Sequence, residues 1–131
     1  MINVKSTIQI QSSNKQNSKK YDLEKRTTEF AKNVVIFCRI EPQSQTAKPI
    51  IDQLIRSATS IGANYREANG ADSKTDFRSK ISICKKEAKE TMYWLELLSQ
   101  LSLRKTILRT LWSECHELTL IFASITRRLY R

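Results

Sequence analysis

Cys115, His116 and Glu117 stand in succession near the C-terminal end of the chain. A thiol, an imidazole and a carboxylate are the parts of a nucleophilic or metal-assisted hydrolase. Their spacing argues against both. Neighbouring residues of a helix point about 100° apart, so the Cys115 thiol and the His116 ring do not face each other. His116 is the sole histidine, and the chain has no HExxH run, glycine-rich phosphate loop or carboxylate cluster. Cys38, Cys84 and Cys115 cannot all pair within one chain, and none belongs to a CxxC motif. The start, Met1-Ile2-Asn3-Val4-Lys5, lacks the apolar segment of a secretory signal. These features predict reduced thiols, a cytoplasmic protein, no metal, no cofactor and no catalytic residue.

Cations are the chemistry that remains. Lys and Arg total 23 against 13 Asp and Glu, a formal net charge of +10. Such an excess costs self-repulsion and points to a polyanionic partner, either nucleic acid or an acidic protein surface. The excess is uneven. Residues 1–21 carry Lys5, Lys15, Lys19 and Lys20 and no acid. Residues 22–101 are nearly balanced, and residues 102–131 hold six basic groups to two acidic ones.

The elements that position these charges follow from length and periodicity. A chain of 131 residues is one domain with a core of its own. No apolar run approaches the ~20 residues of a membrane span, so no membrane partner is expected. Two glycines and two prolines exclude turn-rich all-β folds. Residues 1–20 have too few apolar groups to offset ordering, and read as a flexible polar and basic arm. Residues 21–131 read as a four-helix bundle. Asp22 can cap a first helix to about Arg39, with Leu23, Phe30, Val34 and Phe37 on one stripe. Thr46 can cap a second, whose stripe is Ala47, Ile51, Leu54, Ala58, Ile61, Tyr65 and Ala68. After the Asn69-Gly70 break, a third runs from about Lys74 to about Leu103 with Phe77, Ile81, Cys84, Ala88, Thr91, Leu95 and Leu98. The fourth carries Leu108, Leu111, Cys115, Leu118, Phe122, Ile125 and Leu129. The alternating three-four spacing is that of a bundle seam, and the short connections predict an all-α, antiparallel up-down-up-down four-helix bundle.

Three stretches carry a family resemblance. They are the run Gln53–Ala68 (QLIRSATSIGANYREA), the run Ser73–Ile83 (SKTDFRSKISI), and Lys86-Glu87-Ala88-Lys89-Glu90-Thr91 followed by Tyr93-Trp94-Leu95-Glu96-Leu97-Leu98. Together they resemble the 23S ribosomal RNA intervening-sequence proteins, the four-helix-bundle protein family, over about residues 22–127. The resemblance implies a small basic bundle assembled as a homopentamer, with no enzymatic activity attached. Relatives serve as accessory proteins of diversity-generating retroelements and bind a reverse transcriptase and nucleic acid.

In an up-down-up-down bundle, the start of helix 1, the turn between helices 2 and 3 and the end of helix 4 share a pole. Lys15, Lys19, Lys20, Arg66, Lys74, Arg78, Arg127, Arg128 and Arg131 are therefore expected there as a nucleic-acid-binding cluster. The bland alternative is that Arg127, Arg128 and Arg131 only complement a helix C-terminus. Arg78, Lys85 and Lys89 form a second basic stripe on helix 3. Arg104, Lys105 and Arg109 at the start of helix 4 oppose the helix dipole and hint at an anion site. Ile83, Trp94, Leu97 and Leu101 lie off the core line and are the expected oligomer interface. Ser57, Ser60, Asn64 and Glu67, beside Gly62 and Ala63, read as a register-fixing set, with Glu67 and Glu90 meeting basic partners.

Three functions follow as expectations. The first is a non-catalytic, homo-oligomeric basic bundle that binds RNA or DNA largely without sequence preference, in association with ribosomal RNA or a ribonucleoprotein. The second is a protein adaptor for a reverse transcriptase or another nucleic-acid enzyme. The third is a ribonuclease similar to the HEPN class, in which an Arg precedes a His by four to six intervening residues. Arg109 and His116, with six between them, sit at the loose end of that pattern.

Overall fold

The computed structural model describes residues 22–130. They form four α-helices in chain order: α1 (Leu23–Ile40), α2 (Ala47–Asn69), α3 (Lys74–Leu98) and α4 (Lys105–Leu129). The expectations for residues 1–20, including Lys15, Lys19 and Lys20, and for Arg131 lie outside the described residues.

Local chemistry sets most of the helix ends. The Asp22 carboxylate accepts from Lys25 N at 3.0 Å and caps α1. Glu41 precedes Pro42 and turns extended, with ψ at 132°, because the proline ring disfavours a helical residue before it. Ser44, rather than Thr46, caps α2: its Oγ accepts from Ala47 N at 3.1 Å, whereas the Thr46 side chain makes no capping bond. Ser73 caps α3 by accepting from Asp76 N at 3.0 Å.

The end of α3 corrects the sequence expectation. The helix stops at Leu98, not near Leu103. Leu98 O accepts from both Leu101 N and Ser102 N, which closes a turn. Ser102 is 2% exposed, and its Oγ donates to Glu41 Oε1 at 2.9 Å while accepting from Arg104 N at 2.9 Å. That hydroxyl gives the backbone a partner other than a continuing helix. Leu101 consequently lies beyond α3, in the turn, and does not extend a helical strip.

Cross-helix contacts give the topology. From the α2–α3 turn outward, Glu67 meets Lys80, Cys84 Sγ donates to Ile61 O, and Thr91 Oγ1 donates to Ser57 Oγ. Residue numbers fall on one helix as they rise on the other, so the pair is antiparallel. Glu41–Arg104 and Arg26–Glu114 set α1 antiparallel to α4 in the same way. The bundle is up-down-up-down, with the α2–α3 seam the most extensive and the α1–α4 seam the thinnest.

The four predicted stripes make the core. Phe30, Val34, Phe37, Ile51, Leu54, Ile61, Ile81, Leu95, Leu98, Leu111, Leu118 and Phe122 are almost fully buried. Small residues explain the close seams. Ala58, Ser57 and Ala88 are buried where α2 and α3 meet. Gly62 faces α1, where a Cβ would stand 3.2 Å from Thr27 Oγ1. Ala63 is exposed and has no such role. Buried hydroxyls are satisfied locally: Thr27 donates to Leu23 O and Thr119 to Cys115 O.

Candidate nucleic-acid interface

Most acidic residues among those described pair with particular cations, and other cations are left without a carboxylate. Arg26 of α1 is buried and bonds Glu114 and Glu117 of α4, at 2.8 and 2.9 Å. Burial works against its charge, but those carboxylates outweigh it and raise its pKa. Arg56 bonds Glu87 at 3.0 Å and also meets Glu90, tying α2 to α3. Lys80 meets Glu67 at 3.0 Å, so both glutamates have the basic partners expected, within the same chain. Arg104 reaches Glu41 at 3.3 Å, and Lys48 pairs with Asp52 on α2.

A different group of cations makes no ion pair among the described residues: Lys74, Arg78, Lys85, Lys86 and Lys89 on α3, and Arg127 and Arg128 at the end of α4. Lys74, Arg78 and Arg128 line one groove of about 590 Å³ between the α2–α3 turn and the end of α4. Asp72 shares that groove and is its one acidic residue. Arg78 also lines a second groove of about 520 Å³, with Ser79, Ser82, Lys86 and Tyr130. Helical phase explains the arrangement of α3. Lys80, Glu87 and Trp94 recur toward α2, while Arg78, Lys85, Lys89, Met92 and Glu96 fall on the α4 side. Arg78 stands over Tyr130, Thr119 donates to Met92 Sδ, and Trp112 Nε1 donates to Glu96 Oε1, all three partners being on or ending α4.

The structure therefore brings Lys74, Arg78 and Arg128 to one place. Arg66 is not with them. It turns to α1, meeting Glu24 at 3.5 Å and donating to Thr28 Oγ1 at 3.2 Å, in a groove shared with Asp22 and Glu29. Its position on α2 selects that side. Lys86 and Tyr130 were missed by sequence reasoning. The signal was present: Tyr130 is the aromatic inside the basic run Arg127-Arg128-Leu129-Tyr130-Arg131.

Two other expectations acquire plain structural readings. At the opposite pole Arg104 is held by Glu41, and Lys105 Nζ donates to Ser99 O at 2.6 Å at the end of α3. These cations oppose their own helix dipole but complete the neighbouring loop. Cys115 lies in the core, its thiol donating to Ala88 O, while His116 stacks on Trp112 with ring centroids 5.0 Å apart. The two side chains point apart, and burial pushes the Cys115 thiol up, away from the thiolate a nucleophile needs. Among the described residues no three His, Cys, Asp or Glu gather as metal ligands, and no helix is long and apolar enough to cross a membrane.

The residues expected at an oligomer interface divide. Ile83 and Leu97 are half-buried and lie on the outer side of α3, outside the core cluster. Trp94 packs against the core of its own chain and donates Nε1 to Glu90 at 3.0 Å. Tyr93 is 51% exposed and meets Trp94 edge-on.

A solved structure from Bacteroides thetaiotaomicron, a protein of unknown function from the S23 ribosomal protein family, is similar to this chain. It shares 36% identity, covers 79% of this chain and 96% of its own, and superposes with a TM-score of 0.72. No curated protein matches the chain significantly. A family profile described as 23S rRNA-intervening sequence protein matches residues 19–124, which takes in all of α1 to α3 and most of α4. With four helices, that structural likeness and a profile match across most of its length, the chain belongs to the 23S rRNA-intervening sequence protein family.

Proposed function

We propose that this protein is a non-catalytic basic bundle that binds nucleic acid, RNA or DNA, through phosphate contacts on its α3 and α4 side. The observation that supports it is the partition of charge. Carboxylates neutralise the cations between helices, while Lys74, Arg78, Lys85, Lys86, Lys89, Arg127 and Arg128 have no acidic partner among the described residues. Phosphates relieve that repulsion and release counterions, which gives affinity without sequence readout. The family's name fits a ribosomal RNA or ribonucleoprotein setting. A cytoplasmic location belongs to the same reading, since three buried free thiols suit a reducing compartment.

The same proposal includes a homo-oligomer, a ring of five by family resemblance. Leu97 and Tyr93 would sit at the seam, with Ile83, which also lines the second groove, at its border. An adaptor role toward a reverse transcriptase or a similar enzyme is the second reading, and it would use the same apolar strip.

The test is the salt dependence of binding to a 20-nucleotide RNA and its DNA counterpart. Changing Lys74, Lys85, Lys89 and Arg128 to Gln should flatten the log-log slope by about three units, at roughly 0.7–0.9 per phosphate contact. Changing Lys25, Lys32 and Lys48 of α1 and α2 should leave it as it was. Equal effects of the two sets, or no binding at low salt, would remove the proposal. RNA cleavage that is lost in His116→Ala would establish the ribonuclease alternative instead.

A further inference from the structure

The three least exposed arginines among the described residues are Arg26, Arg78 and Arg104, and they differ in one respect. Arg26 and Arg104 are held by glutamates. Arg78 has no carboxylate, and its buried Nε makes no hydrogen bond. What holds it is an aromatic ring: its guanidinium carbon lies 5.5 Å from the centroid of Tyr130. That ring is itself 59% exposed. Arg78 is also the side chain shared by the two grooves, with Lys74 and Arg128 in one and Ser79, Ser82, Lys86 and Tyr130 in the other.

This is a cation flanked by further cations, set against a free aromatic face and a row of hydroxyls. A duplex would use only half of it. Its phosphates could reach Lys74, Arg78 and Arg128, but its bases are stacked on one another and offer Tyr130 nothing. A single strand offers both, a phosphate for the guanidinium and an unstacked base for the ring. A planar guanidinium over an aromatic ring is already arranged as a stacking platform.

We propose that the Arg78–Tyr130 pair is the reading head of a single-strand site. A backbone phosphate is bound by Arg78 with Lys74 or Arg128. The adjoining base stacks on Tyr130, over the groove lined by Ser79, Ser82 and Lys86. This deepens the nucleic-acid reading of the same side and rests on it. Stacking does not distinguish ribose from deoxyribose, so RNA and DNA strands of one sequence bind alike.

The experiment compares a 20-nucleotide uridine RNA, its thymidine DNA counterpart and a 20-base-pair duplex, on the wild-type protein and on Tyr130→Ala and Tyr130→Phe. At moderate salt, Tyr130→Ala should bind both single strands roughly tenfold more weakly, in the range typical of one lost base stack. Tyr130→Phe keeps the ring and should bind like wild type. Duplex binding should be weaker than single-strand binding and unchanged by either substitution. Tyr130 is exposed at the end of α4, so a folding defect is not the expected result, and helical circular dichroism checks it. Single-strand binding unaltered in Tyr130→Ala would overturn this inference and leave the broader reading standing. An equal loss on duplex and single strand would do the same. No binding of any of the three nucleic acids at low salt would overturn both.

Discussion

The Ser102 hydroxyl donates to Glu41 Oε1 at 2.9 Å, across 61 residues of sequence. Glu41 ends α1 and Ser102 lies between α3 and α4, so one bond joins the two loops of the pole opposite the basic grooves. Both residues are almost fully buried. Arg104 adds a charge at 3.3 Å, but it is 37% exposed, so solvent screens much of that attraction. Glu41→Ala strands the buried Ser102 hydroxyl and should cost about 2–3 kcal/mol in urea unfolding. Glu41→Gln keeps an acceptor for Ser102 and should cost less. Equal stability of Glu41→Ala and wild type would mean the loops are held by something else. Neither substitution should alter nucleic-acid binding, because the grooves lie at the other end.

Core register has a direct test. Leu54 and Leu118 are 0% exposed and come from different stripes. Leu118→Ala should cost about 2–5 kcal/mol through lost transfer energy and the cavity left behind. Leu54→Asp or Leu118→Asp buries a charge without a partner and should leave the chain unfolded. Native thermal stability in either aspartate variant would show that the stripe does not face inward.

The same stripes show how far the sequence could be read. Alternating three- and four-residue spacing carries the phase of a helix along its whole length, so the core residues of α2, α3 and α4 were legible from periodicity alone. The family was legible from the runs around Arg56, Arg78 and Glu90, where helix-pairing residues are concentrated. The end of α3 was not, because Leu98 is followed by further good helix formers. Leu98 O closes the turn with Leu101 N and Ser102 N, and Ser102 is anchored there by Glu41, a contact no local pattern encodes. The basic pole was half legible. Topology brought Lys74, Arg78 and Arg128 together, but pole membership does not specify which side of a helix a residue takes. Arg66 therefore went to Glu24 instead. Tyr130 lies beyond the last turn of α4, outside the periodic stripe, so periodicity assigns it no face.

Oligomerisation should depend on the outer side of α3. Trp94 is a poor probe, because it packs on its own core and bonds Glu90, and an acid there would face Glu90 one turn away. Ile83 and Leu97 are cleaner. The double substitution Ile83→Glu with Leu97→Glu should give smaller species by light scattering at tens of micromolar, with helical content and unfolding midpoint near wild type. A wild-type protein that is monomeric at that concentration would remove the interface.

Cys38, Cys84 and Cys115 are free, buried and on three different helices. Burial raises all three thiols, Cys38 and Cys84 to about 12 from an ordinary 9.0, with Glu41 adding to the rise at Cys38. A pKa raised on folding means that the unfolded chain loses its protons first as pH climbs. The contribution is therefore fully present below about pH 9 and is lost between about 9 and 12. Urea midpoints should be insensitive to these thiols from neutral pH to about 9 and should fall above it. Replacing Cys38 and Cys84 by Ala should make that alkaline fall shallower, apart from the fixed cost of two small cavities. Reactivity gives the independent check. At pH 8 a chromogenic disulfide reagent should label none of the three in the native protein within minutes, and all three in denaturant. A thiol that reacts promptly in the native state would place its side chain at the surface and break the stripe on which it lies.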